Sequence, residues 1–244
     1  MSACRIFRSP FFHSLRHSAS TVAVRPEFLT SSSSLYVNPR QHVLGTDCIT
    51  QTIPGSAIAG ISDEKVLALF TGGFFGGFVF AFEWLLLTAG GGRILPVEFT
   101  GFPRDTYTTH AIWRHPDLSD YHLHPVGTCL VGSFMILDQH IASESEMDNT
   151  GQSASWVDYG FGSDKSSFAG CHRIQITRIA EKRRRDSFKP DTAMEDQVQI
   201  ELQSFQCNPQ KDVIFGPEIF RQFHYLYAKM LFANGMQSIL SRQA

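Results

Sequence analysis

Glu83, Asp158 and His172 each stand alone as an acid or base inside an apolar run, and burial of such a group moves its pKa to where it can trade protons. Glu83 lies between Phe82 and Trp84 in the longest apolar stretch, Asp158 interrupts ASWVDYGF beside Tyr159, and His172 sits in FAGCHRIQITRI. These three are the expected catalytic groups. Asp138, at the end of VGTCLVGSFMILD, and His224, near the C-terminus, are further isolated polar residues of the same kind. Together they supply acid and base for enolisation, dehydration, cyclisation or double-bond migration of a bound lipophile. Trp113, Trp156 and Tyr159 offer faces for a flat or polyene ligand, and Phe223, His224 and Tyr227 complete the expected substrate-binding set. A structural role competes at every one of these positions: an ion-paired or surface-facing Glu83, or a histidine satisfied in the core.

Other chemistries have little to stand on. There is no nucleophile elbow, phosphate loop or dinucleotide fingerprint, and Gly90 to Gly92 lacks the Lys-Ser/Thr that a phosphate loop requires, so it reads as a helix end. His122 and His124, with His110 and His115 nearby, are the one histidine concentration, but no third ligand stands at a supporting spacing. Neither a metal nor a cofactor is expected. With a formal charge of −2 and a single short basic run, Lys182 to Arg185, no field favours nucleic acid.

The elements that must position these residues follow from periodicity. From Val66 to Gly92 the only charged side chain is Glu83. Ser62 is placed to cap a short helix over Val66 to Phe70, with Asp63 and Glu64 in its first turn. Four glycines, each costing a helix about 1 kcal/mol relative to Ala, separate it from a second helix over Phe78 to Leu87. Two readings of this window stay open. It is a buried helical pair, or it is a membrane span or surface hairpin, since about 20 apolar residues suffice to cross and Gly72/Gly76 and Gly73/Gly77 have small-xxx-small spacing.

After Pro96 the pattern turns to strands: Val126 to Asp138, Ala154 to Phe161, Phe168 to Ile179 and Gln197 to Gln206. In the last, Val198, Ile200, Leu202 and Phe205 are expected on one face and Gln199 and Glu201 on a solvated one. Polar loops are expected over Ser143 to Gln152 and Glu181 to Glu195. A long helix opened by Gly216 and Pro217 then runs to about Leu240, with Phe220, Phe223, Tyr227, Met230 and Leu231 at helical spacing.

Composition sets the frame. The chain of 244 residues has 43% hydrophobic residues and 21 Phe against 3 Trp and 6 Tyr, a load that suits a deep core or a greasy pocket. Its five scattered cysteines read as reduced, mostly buried thiols. Residues 1–26 carry four arginines, several serines and no acid, the composition of a mitochondrial transit peptide or of a plain unstructured tail. Residues 1–40 are therefore expected to be a disordered leader and residues 41–244 a single ligand-binding domain, cytoplasmic or mitochondrial, with membrane association open.

An apolar helical pair, an antiparallel sheet and a long C-terminal helix resemble the helix-grip superfamily of lipid-transfer, pollen-allergen and polyketide-cyclase domains. The run from Tyr159 to Arg178, followed by Gln197 to Phe205 and the last helix, also resembles an uncharacterised domain family grouped near that fold, and the likeness covers about the last 110 residues. It departs in the first half, where the strand expected before the helical pair is not apparent. The resemblance implies an α+β fold, an antiparallel sheet wrapped around the terminal helix, and a tunnel for something apolar between them. The expected protein is a small enzyme, a cyclase, isomerase or lyase of natural-product or isoprenoid metabolism, whose reaction extends to pericyclic closure by shape alone. The alternatives are a non-catalytic lipid or prenyl carrier and an interaction protein anchored through residues 66–92.

Overall fold

Four eleven-residue strands carry the architecture: β2 (Leu44–Pro54), β6 (Gln152–Gly162), β7 (Ala169–Ile179) and β8 (Gln197–Cys207). Their registers run unbroken from end to end, Leu44 to Pro54 against Cys207 to Gln197, and Ala169 to Ile179 against both neighbours. Shorter strands extend both edges: β1 (Ala19–Thr21), β3 (Ala111–Ile112), β4 (Cys129–Leu130) and β5 (Phe134–His140). The sheet has eight strands in the order β1-β2-β8-β7-β6-β5-β4-β3, antiparallel except for the β3–β4 pair. The computed structural model describes residues 9–91, 93–104, 107, 110–143, 146, 152–180, 196–214 and 218–241, and for 218–223 the backbone alone. The fold is α+β, as the element pattern predicts. The loop readings for Ser143 to Gln152 and Glu181 to Glu195 fall almost entirely outside these residues, and the basic run and the Gly216-Pro217 helix start fall outside them altogether.

Two helices cover one face. α4 (Asp63–Gly76) begins where the sequence places it, Ser62 Oγ accepting from Lys65 N. Asp63 then ties the helix to the sheet: Ser155 Oγ donates to its Oδ2 at 2.7 Å and Arg178 Nε to its Oδ1 at 2.6 Å. One turn from the other end, Thr71 Oγ1 lies 2.9 Å from Tyr159 Oη on β6. α6 (Glu218–Leu240) packs beside α4 and against α1 (Pro10–His17). The shared core joins Phe70, Phe75, Phe232 and Met236 of the helices to Ile49, Val157, Ile174, Ile200 and Leu202 of the strands.

The glycines of α4 do not break it. The helix runs through Gly72 and Gly73 to Gly76 because α6 comes too close for side chains: a Cβ on Gly73 would lie 2.5 Å from Asn234 O, and one on Gly77 2.6 Å from Asn234 Cγ. The small-xxx-small spacing of Gly73 and Gly77 thus serves a helix of the same domain. The chain then bends by 72° into α5 (Ala81–Ala89). No single helix among the described residues is long and apolar enough to cross a membrane; the bent α4–α5 pair passes by length and composition.

Four expectations need correction. The expected disordered leader is folded from Pro10 onward. α1 buries Phe11, β1 pairs with β2, and α2 (Pro26–Leu29) and α3 (Ser32–Val37) bury Phe28 and Val37 on the second face of the sheet. The unplaced strand before the helical pair is β2, whose mixed sequence LGTDCITQTIP hides an alternation in which Asp47 and Gln51 occupy inward positions beside Ile49 and Ile53. The last strand is not one-sided. Phe205 has the parity of Glu201 and joins Phe28, Cys171 and Cys207 in a second core, and Glu201 is itself buried. Val126 to Asp138 is a hairpin, turning through positive φ at Val131 and Gly132, rather than one strand. The four described cysteines are free, and burial pushes the thiols of Cys48 and Cys129 up to about 11 and Cys207 to about 12, which leaves them protonated and inert.

The glycine contacts make opposite predictions at adjacent sites. Gly72→Ala has only Asp120 Oδ1 near its new Cβ, at 3.8 Å, and is expected to stabilise by about 1 kcal/mol through helix propensity. Gly73→Ala should instead destabilise by about 1–3 kcal/mol through overpacking. Urea denaturation of the two variants checks the pair, and equal effects would mean that α6 does not seat on Gly73.

Candidate functional site

Phenylalanines line a cavity of about 140 Å3 between α5, the first half of α6 and the sheet. Phe74, Phe80, Phe134, Phe161 and Phe168 form its walls, and the polar groups reaching it are Glu83, His172, Gln206, His224 and Tyr227. Four of the residues singled out from sequence therefore meet in one place. Glu83 comes from the first turn of α5 and is brought round by the bend after Gly77. Tyr227 and His224 stand three residues apart on α6, which puts them on one side of the helix. His172 lies on β7 with Tyr159 opposite it on β6 and Ser204 opposite it on β8.

The central contact joins the helices: Tyr227 Oη donates to Glu83 Oε2 at 2.6 Å. Burial pushes the Glu83 carboxyl above its ordinary range, while the Tyr227 hydrogen bond and the neighbouring His224 pull it back. The same burial, reinforced by the Glu83 charge, holds the Tyr227 phenol protonated. Opposite them, His172 packs its ring against Phe161, Phe74 and Phe134 at centroid distances of 4.7, 5.8 and 6.4 Å. Desolvation lowers its pKa from 6.5 to about 3, so the ring is neutral at physiological pH. Its Nδ1 lies 2.8 Å from Ser204 Oγ, which leaves Nε2 as the ring nitrogen for a ligand. His224 Nε2 stands 3.5 Å from Oδ1 of Asp47, a buried side chain on β2 whose Oδ2 has no hydrogen-bond partner among the described residues.

Asp47, Ser204 and Gln206 were not foreseen. Asp47 and Ser204 are opposite one another on β2 and β8, and Ser204 is opposite His172, so a polar row crosses the sheet at the edge of its apolar core. Alternation along β8 gives Ser204 and Gln206 the inward parity of Leu202; Asp47 required β2 to be recognised as a strand.

Asp158 is a correction. It points to the other face, fully buried, where Arg173 Nε and Nη2 each donate to it at 2.7 Å. The guanidinium is sandwiched between Phe28 at 4.7 Å and Trp156 at 4.9 Å. Burial raises the Asp158 carboxyl and the paired guanidinium opposes the shift. This is a structural ion pair remote from the cavity. Trp156 goes with it, and its other ring neighbour is His140. Tyr159 does face the helices, but its hydroxyl is spent on Thr71 inside the core. Trp113 precedes the turn at His115–Asp117 and does not line the cavity. The Phe223 side chain lies outside the described residues. The histidines near residue 120 are separately engaged: His115 packs on Trp84, His122 pairs with Glu64 at 3.4 Å, and His124 Nε2 accepts from Ser119 N. Among the described residues, no three His, Cys, Asp or Glu side chains are grouped to hold a metal.

A neutral buried base beside a carboxyl of raised pKa and a protonated phenol can move a proton between two positions of an apolar molecule. Among the described residues that line the cavity there is no serine, threonine, cysteine or lysine to act as a nucleophile.

Two stability measurements test these placements. His172 binds no proton in the folded state until about pH 3, while in the unfolded chain it does so from 6.5. It therefore costs nothing above 6.5 and withdraws stability as pH falls below, by about 1.4 kcal/mol per pH unit. His172→Gln should flatten that slope in urea titrations between neutral and mildly acidic pH; an unchanged slope would place the ring in solvent. Asp158→Ala strands a buried guanidinium and should cost about 3–5 kcal/mol, read by the same method, with little effect on ligand binding in the cavity.

No protein-family model, no curated protein and no solved structure matches this chain.

Proposed function

We propose that this protein is a small enzyme that takes a lipophilic molecule into the Phe-lined cavity and promotes its isomerisation or cyclisation by moving a proton. The observation that supports it above all others is the Glu83–Tyr227 pair, a half-buried carboxyl of raised pKa bonded to a phenol at 2.6 Å, facing a cavity walled mainly by phenylalanine. Burying a carboxyl costs stability, and a carrier that merely shelters a hydrocarbon has no use for it. Shape does the orienting, since five aromatic rings leave a flat substrate few poses. Glu83 takes a proton from carbon as it becomes activated by the adjoining carbonyl or alkene. His172 through Nε2, or Tyr227 once Glu83 has taken the proton and no longer accepts from the phenol, hydrogen-bonds the oxygen or π-system on which charge develops, and Glu83 returns the proton at the new position. Carbon–hydrogen bonds broken and formed balance, so no oxidant, reductant or metal enters.

The volume sets the substrate's size. A cavity of about 150 Å3 holds benzene, so about 140 Å3 suits a single ring or a short isoprenoid head and excludes a long acyl chain. The order of elements, with a terminal helix over an antiparallel sheet, supports the likeness to helix-grip domains, and so does an apolar site between them.

The test uses 3-cyclohexenone as probe. Wild-type protein should shift the double bond into conjugation and, in deuterated water, place deuterium on the ring, both followed by NMR. Glu83→Gln, which preserves shape and the Tyr227 contact, should lower the rate by about a hundredfold or more while thermal shift by the probe persists. Binding with no turnover above that of Glu83→Gln would establish the carrier instead, and absence of any binding would remove both readings.

A further inference from the structure

Three residues that line the cavity each follow an exposed apolar residue in the chain. Glu83 follows Phe82, Leu95 follows Ile94 and Tyr227 follows Leu226, with Phe82 70%, Ile94 61% and Leu226 58% exposed. Leu85 and Leu86 continue the stripe of Phe82 along α5 and are also exposed. They follow Phe82 by three and four residues, which is one face of a helix. α5 is thus apolar on both sides, Phe80, Trp84 and Leu87 facing the core and Phe82, Leu85 and Leu86 facing out. A helix of a globular domain ordinarily turns its polar side outward, and a contiguous apolar patch marks a surface that meets something.

The segments that carry this patch are short of acid. Residues 9–26, 78–97 and 224–241 contain a single carboxylate, Glu83, already bonded by Tyr227, against Arg16, Arg25, Arg93 and Lys229, of which Arg25 pairs with Glu201. α1, which carries Arg16, joins this side through the contact of Phe11 with Phe78, ring centroids 4.9 Å apart. An apolar stripe with a cationic fringe matches the interface of a bilayer containing anionic lipid. The geometry also fixes the mode. The apolar residues of α4 are buried in the core, and α5 with nine residues spans about 13 Å, far short of the roughly 30 Å needed to cross. It is long enough to lie flat.

We propose that the collar of Phe82, Leu85, Leu86, Ile94 and Leu226 seats the protein on a lipid bilayer, with the mouth of the cavity turned to the acyl chains so that lipophilic ligand enters from the membrane. The delivery clause rests on the cavity being a lipophile site; the docking clause does not.

The full chain, without ligand, is floated with vesicles of phosphatidylcholine alone and of phosphatidylcholine with phosphatidylserine. Wild type is expected to float, more strongly with the anionic lipid, and to lose that increment at high salt. Phe82→Ser/Leu85→Ser/Leu226→Ser should weaken partitioning by about tenfold or more while keeping its melting temperature, since all three side chains are outside the core. Should the triple variant not fold, Phe82→Trp replaces it, and its emission should shift to the blue on adding vesicles. The docking is overturned by wild type remaining in the aqueous fraction, by a folded triple variant that floats equally well, by a Phe82→Trp emission that vesicles leave unmoved, or by a wild-type dimer that the triple variant dissociates, which would make a second copy the occupant. Binding of 3-cyclohexenone in vesicle-free solution reports on the cavity alone, so the two readings fail separately.

Discussion

The seating of α6 against the glycines of α4 is the constraint from which the rest follows. Because Gly73, Gly77 and Gly235 have no side chains, the two helices approach until backbone meets backbone, and the Phe70 ring closes over Gly235, 2.7 Å from where a Cβ would be. At that distance Asn234 reaches the end of α4, where its Oδ1 accepts from Val79 N at 3.1 Å. One residue of α6 thereby fixes both the stop of α4 and the direction of α5. The bend turns Glu83 toward Tyr227, seven residues back along α6. The contact that defines the site is thus set by a packing contact two turns away, and it would be lost with the bend even if both side chains were present.

The sheet divides the labour between its faces. On the inner face alternate strand positions meet the helices and build an apolar core with one polar row at its edge. On the outer face the same strands present Arg173, Asp158, Gln175, Gln203 and Glu201, all buried. Polar groups survive burial only when they are bonded, and here the N-terminal segment supplies both roof and partners. Arg25 donates through Nε to Glu201 at 2.7 Å and through its backbone N to Gln203 at 2.8 Å, while Phe28 lies over the Arg173 guanidinium. Without residues 19–37 this face would expose Phe205, Cys171 and Cys207 along with an unroofed ion pair, so the segment belongs to the domain.

What the sequence discloses follows from which interactions are local. The Ser62 cap, the three eleven-residue strands β6, β7 and β8 and the terminal helix rest on periodicity and near neighbours, and they are legible. The course of residues 9–54 is not, because nothing in a serine-rich stretch whose acids are Glu27 and Asp47 announces that a sheet is waiting to be covered. Parity explains the site. Glu83, His172, His224 and Tyr227 share the signal of a polar group in apolar surroundings, and Asp158 carries the same signal on the wrong face. Asp158 alternates with Val157 and Tyr159, which point inward, so counting by twos along β6 separates it from the cavity. Phe205 is misplaced for the same reason, one residue out of step with Leu202.

The phenylalanine content has a chemical consequence beyond packing. A wall of Phe offers neither donor nor acceptor, so the polar atoms that reach the cavity find no hydrogen-bond partner among its rings. In a wall of Tyr or Trp, hydroxyls and indole N–H groups would compete for the Glu83 carboxylate and draw its pKa down through added hydrogen bonds. The bare rings instead leave desolvation as the dominant influence on Glu83 and His172, pushing the acid up and the base down. That is the combination in which a carboxyl and an imidazole line one cavity without neutralising one another as an ion pair. The exposed Phe82, Leu85 and Leu86 extend the same apolar character to the outside of α5. For the proposed isomerase, selectivity then lies in shape and in one proton-accepting group rather than in a set of matched hydrogen bonds.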